Sequence, residues 1–146
     1  MAGVHLYSLF ENVLRMKTIE TRVDVEFLVN AFYARIREDD MLGPIFNKHI
    51  ADDQWPAHLK KLADFWETNL FGIPKFRGNP PAAHIKVDKN LNHSITQDHF
   101  GRWLQIWFAT INDLFEGERA EMAKQRARIM STGQFMAIWH ARPENS

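Results

Sequence analysis

Cysteine is absent from this chain of 146 residues. That excludes disulfides, iron–sulfur ligation, a thiolate nucleophile and any cofactor tethered through paired thiols. A charge excess is missing too: 18 Lys and Arg balance 18 Asp and Glu. No net field therefore steers the chain onto nucleic acid or an anionic membrane, and neither partner is expected. Long apolar runs are also lacking. Val4 to Phe10 is a short one, without a leading basic region or a small-residue cleavage site, and no later run approaches a membrane span. A soluble, cytoplasmic protein is the expectation. Sustained period-two alternation and internal repeats do not occur, which leaves an all-α chain.

The length fits one domain with its own core, too small for a cofactor domain beside a separate substrate domain. Residues 1–20 are weakly patterned and read as an N-terminal extension, a short helix or a mobile arm, with Met16 as an alternative start. Residues 21–146 form the domain. Asp24 is expected to cap a first helix whose apolar positions Val25, Leu28, Val29, Phe32, Tyr33 and Ile36 recur at helical spacing. Leu42 to Phe46 then reads as a Gly-Pro turn that throws Phe46 inward. Asp52 and Asp53 open a second helix, tolerant of Pro56 in its first turn, that runs to Phe71. Its inward stripe is Trp55, His58, Leu59, Leu62, Phe65, Trp66 and Asn69.

Gly72 to Pro81 holds two glycines and three prolines, so an irregular loop is expected, followed by only one or two helical turns around His84. Ser94 and Gln97 fit a capping box for a third helix through Phe100, Trp103, Trp107, Ile111 and Phe115, ended by Gly117. A fourth runs from Glu118 to about Trp139, with Gly133 as its weak point. Four principal helices plus short pieces are predicted.

Eleven Phe, five Trp and two Tyr fill an ordinary helical core or wall a flat ligand equally well. Position has to decide. His84 follows the proline-rich loop, and an imidazole presented there can ligate a metal or haem iron, while His58 on the preceding helix guards the opposite side. Taken alone, His58 heads an apolar stripe as hydrogen-bonded boundary histidines do, and Tyr33 and Trp103 each suit a plain core. Together they put three polar tips from three helices into an aromatic setting, donors that suit an anion-like diatomic.

The strings Phe32-Tyr33-Ala34-Arg35-Ile36, Leu42-Gly43-Pro44-Ile45-Phe46, Trp55-x-x-His58 with Phe65-Trp66, Phe76-x-Gly78-x-Pro80-x-x-x-His84 and Phe100-x-Arg102-Trp103-Leu104 occur in that order between Asp24 and Met130. In this order they resemble the group III truncated haemoglobins. The resemblance implies a truncated globin fold, a two-on-two helical sandwich around haem b, held non-covalently since no thiol is present. It implies His84 as the iron ligand and Tyr33, His58 and Trp103 as the distal residues. Phe46 would lie against the porphyrin, with Leu62, Phe65 and Trp66 lining the cavity. The stretch from His84 to Trp103 is slightly long for the family.

The ligands implied are O₂, NO, CO or peroxide, bound reversibly, with NO oxidation or peroxide reduction as turnover that needs a separate reductase. Lys86, Arg77 and Arg102 are the cations near enough in sequence to meet haem propionates. Two other readings compete: a dedicated haem peroxidase or NO dioxygenase, and a helical interaction module without haem whose aromatics are merely core.

Overall fold

The computed structural model describes residues 16–143, so the predicted arm falls mostly outside the described residues. The chain enters extended. Lys17 forms a parallel bridge to Phe115, the Glu116 N–H donates to its carbonyl at 3.0 Å, and Ile19 is buried.

Six α-helices and one 3₁₀ turn follow: α1 (Arg22–Glu38), α2 (Gly43–His49), the 3₁₀ turn (Asp52–Gln54), α3 (Trp55–Phe71), α4 (Pro80–Asn90), α5 (Gln97–Leu114) and α6 (Glu118–Ala141). The four long ones lie where periodicity predicts, but several ends differ. Thr21, not Asp24, caps α1, and Asp24 completes the box from the third helical position. There its carboxylate accepts from the N–H groups of Glu20 and Thr21 and from Lys17 Nζ at 2.8–3.1 Å. Burial pushes its pKa up, and these donors more than offset that, leaving it below the usual value.

The expected turn at Leu42–Phe46 is the start of α2, because Pro44 in a first turn lacks only an N–H that has no helical partner there. Gly43 is needed for close approach: a Cβ at this position would stand 2.6 Å from the Arg37 carbonyl oxygen. Pro80 and Pro81 likewise open α4, with the Asn79 side chain accepting from the Ala82 N–H at 3.1 Å. The helix bearing His84 thus has 11 residues, about three turns, longer than predicted. The Asp52–Asp53 opening is 3₁₀, and the α-helix proper begins at Trp55. Thr96 with His99, rather than Ser94 with Gln97, makes the box that starts α5. That helix ends at Leu114, and Gly117, with φ 99°, caps α6, which runs unbroken through Gly133.

Helix α1 packs on α3 and α5 on α6, while α1–α5 and α3–α6 contacts join the two layers and α4 lies against α6. The core between them is aromatic. Trp66 stacks on Trp107 at 4.6 Å and Trp107 on Trp103 at 5.8 Å, with Phe32 edge-on to both Trp103 and Trp107. No helix among the described residues is long and apolar enough to cross a membrane.

Candidate functional site

Helical spacing on α1 sends Phe32 and Tyr33 inward together, and both are buried. The Tyr33 ring lies 5.9 Å from Phe46 of α2, 6.0 Å from Trp55 and 6.2 Å from His58, both of α3. Trp55 and His58 are one turn apart and meet edge to face at 5.4 Å. Burial raises the Tyr33 pKa well above that of a free phenol, although hydrogen bonding with Trp103 pulls the other way, so the hydroxyl stays protonated. A protonated phenol can donate. Desolvation, with the charge of Lys61 in second place, lowers the His58 pKa, so this imidazole is neutral near pH 7.

His84 stands apart from that group. Its ring lies 6.2 Å from Phe100, at the start of α5, and Phe100 contacts Phe135 of α6. Trp103 is one turn further along α5, so one helix touches His84 with one turn and the Phe32–Tyr33 pair with the next. The His84 Nδ1–H donates to the Pro80 carbonyl at 2.7 Å. This bond settles the tautomer: Nε2 keeps its lone pair. Desolvation lowers the His84 pKa although the Pro80 bond raises it, which favours the neutral, ligating form.

No group of three or more His, Cys, Asp or Glu among the described residues could hold a metal ion. A lone imidazole with a free Nε2 is a poor centre for a bare ion, but it would suit iron whose remaining ligands are supplied by a porphyrin. The donor set therefore fits haem. Phe46, Leu62 and Phe65 are half-buried and packed on the core, whereas Trp66 is 2% exposed within the tryptophan stack. Phe65 also meets Phe76 of the proline-rich loop at 5.0 Å, and the Thr68 hydroxyl anchors that loop by accepting from the Lys75 and Phe76 N–H groups.

Of the cations near His84 in sequence, Arg102 is committed elsewhere: its Nε donates to Asp39 at 2.8 Å and its NH1 to Gln105. Arg77 and Lys86 are exposed. The other histidines have local roles. His49 bonds the Ile45 carbonyl, His99 belongs to the α5 cap and His93 pairs with Asp88; His140 is exposed. His5 lies outside the described residues.

Two features escape the sequence reading. Arg37 sits 4.7 Å over the Trp55 ring and is itself held by Asn47 and Asp52. The three-residue spacing of Trp55 and His58 signals their shared face but not this guanidinium. Asp88, one turn beyond His84 and buried, accepts two bonds from Arg142 at 2.9 and 3.0 Å and one from the Ile95 N–H. A partner that distant leaves no local pattern.

No protein-family model matches the chain. It is 30% identical over 107 residues to the group 3 truncated hemoglobin ctb of Campylobacter jejuni, an alignment covering 72% of this chain and 80% of that relative. The crystal structure of group III truncated hemoglobin from Campylobacter jejuni superposes with a TM-score of 0.75 at 26% identity, covering 88% of this chain and all of the other.

Proposed function

Because the chain belongs to the group III truncated haemoglobins, we propose that it holds haem b non-covalently through His84 and binds small diatomic ligands reversibly on the side of Tyr33, His58 and Trp103. The observation that carries this reading is the bond from His84 Nδ1–H to the Pro80 carbonyl, which leaves Nε2 free near the start of α4. Bound haem supplies an iron atom with an open position for O₂, NO, CO or peroxide. His84 holds the group from one side, its ring angle set by Pro80. Tyr33 would donate a hydrogen bond to the guest, and Trp103, whose single N–H meets the Tyr33 hydroxyl in this structure, would donate a second on turning to it, each worth about 1.5–3 kcal/mol when the acceptor carries charge and water is scarce. Phe46, Leu62, Phe65 and Trp66 supply the apolar surround. In this reading residues 21–146 are the globin domain, and 1–20 an extension whose last residues fasten to the turn before α6.

Binding is favoured over a dedicated peroxidase by the nature of the His84 partner. A carbonyl raises imidazole basicity less than a carboxylate would, so electronic push toward O–O cleavage is weak. Oxidation of NO or reduction of peroxide would draw electrons from a separate reductase.

Haem titration tests the assignment. The chain should develop a Soret band that shifts on CO addition, His84→Ala should lose haem, and His58→Ala should keep it with altered ligand kinetics. Retention of haem by His84→Ala and its loss from His58→Ala would reverse the two sides. A chain that takes up no haem would be the helical interaction module.

A further inference from the structure

Helix α4 packs chiefly on α6, and the chain reaches it from α3 through the loop at residues 72–79. Where that loop is fastened therefore bears on how far His84 stands from the helix that carries His58. Gly72, with φ 70°, reverses the chain at the end of α3, and Lys75 and Phe76 come back alongside its last turn. The Thr68 hydroxyl meets them there with its full bonding capacity. It accepts from the Lys75 and Phe76 N–H groups, both at 3.1 Å, and donates to the Asp64 carbonyl at 2.9 Å. One residue earlier, the buried Glu67 carboxylate accepts from Arg22 of α1 at 2.7 Å and pairs with Lys75 Nζ at 3.2 Å. The Phe76 ring closes on Phe65, and Gly78 makes room for it: a Cβ there would stand 2.6 Å from that ring.

We propose that Thr68 and Glu67 are positioning residues for His84, a paired anchor that fixes the gap between α3 and α4 before haem enters it. From Phe76 the chain passes through Arg77, Gly78 and Asn79 to Pro80, whose carbonyl accepts the His84 Nδ1–H at 2.7 Å. Asn79 caps α4 on the way. The backbone atom that aims the imidazole is thus a short, capped segment away from the anchor. A loop held in this way loses little further freedom on binding, and such preorganisation tightens binding without adding a contact to the guest. Glu67 adds a charged bond to the two that the hydroxyl accepts, and a carboxylate shielded from water holds its partners more firmly than an exposed one. This role rests on the reading of His84 as the iron ligand.

Hydrogen exchange on the full chain before haem is added should find the Lys75 and Phe76 amides protected, and Thr68→Val, which keeps the shape and removes the acceptor, should release both. Unprotected amides in the wild-type chain would overturn the anchor. In the haem-loaded protein Thr68→Val should shift and broaden the iron–histidine stretching band of the ferrous, ligand-free state in resonance Raman spectra. It should also speed haem loss to an excess of scavenging apoglobin about five- to twenty-fivefold, the factor for one to two ordinary hydrogen bonds. Thr68→Ser, which keeps the oxygen, should restore both readouts, and the surface change Lys75→Met should reproduce a weaker form of the same pattern. Should Thr68→Val not fold, Lys75→Met decides by the same two readouts. Released amides with an unaltered stretching band and an unaltered rate of haem loss overturn the positioning role and leave His84 as the ligand, as does failure of Thr68→Ser to rescue. A wild-type chain that develops no Soret band overturns the haem reading and this role with it.

Discussion

Tyr33 and Trp103 make the sharpest claim at the residue scale. If the phenol donates to a bound guest with partial negative charge, Tyr33→Phe removes one charge-assisted bond without changing the ring, and O₂ release should accelerate about ten- to hundredfold. Stopped-flow displacement by CO measures this, and an unchanged rate would take the hydroxyl out of the ligand's reach. His58 carries a pH signature. Its folded-state pKa lies below the ordinary 6.5, so between that lowered value and 6.5 the unfolded chain binds a proton the folded chain refuses. Stability therefore falls on acidification through this window, and His58→Leu should flatten the dependence in urea unfolding compared at pH 7 and about pH 5.5. Among these residues, Tyr33, His58, His84 and Trp103 stand out as candidates in the sequence because each is a polar group on an apolar frame. Trp55 does not, since an indole N–H without a partner among the described residues looks in sequence like any other core tryptophan.

At the scale of elements, periodicity located the long helices and failed at their ends. Caps depend on which of several eligible side chains turns back onto the backbone: Thr21, Asp24, Ser94 and Thr96 all qualify by type, and only the approach of the chain selects Thr21 and Thr96. Proline was misread in two places, as a breaker where Pro44 and Pro80–Pro81 in fact begin helices. Gly43→Ala tests the first of these joints. The added methyl would press on the Arg37 carbonyl, and a loss of about 1–3 kcal/mol is expected from forced separation of α1 and α2, read as a lower urea midpoint. A separate tie is made by Asp88, which joins the end of α4 to the end of α6. Burial alone would raise its pKa, but Arg142, the Ile95 N–H and His93 together lower it below 3.8, so its contribution is present above that value and disappears as pH falls through the lowered one. Asp88→Ala leaves Arg142, 13% exposed, without its carboxylate and should cost about 3 kcal/mol.

For the whole molecule, the all-α class followed from composition and period, and the resemblance supplied the two-on-two sandwich that periodicity could not. Layer pairing depends on contacts between elements far apart in sequence, such as Trp66 with Trp107. Ligand binding to the folded chain alone implies a global effect: haem at a free concentration of about 100 times its dissociation constant should stabilise by about 2.7 kcal/mol. A calorimetric midpoint that rises with haem concentration, and no rise for His84→Ala, is the expected pattern.

The pairing of Lys17 with Phe115, with Arg119 reaching back to the Ile19 carbonyl across 100 residues, bears on how the chain is made. During synthesis the first helix emerges with its leading edge unfastened and must wait for nearly the whole polypeptide to leave the ribosome before that edge can close. A nascent chain halted before residue 115 should therefore remain protease-sensitive near residue 17, whereas one released with α6 complete should not.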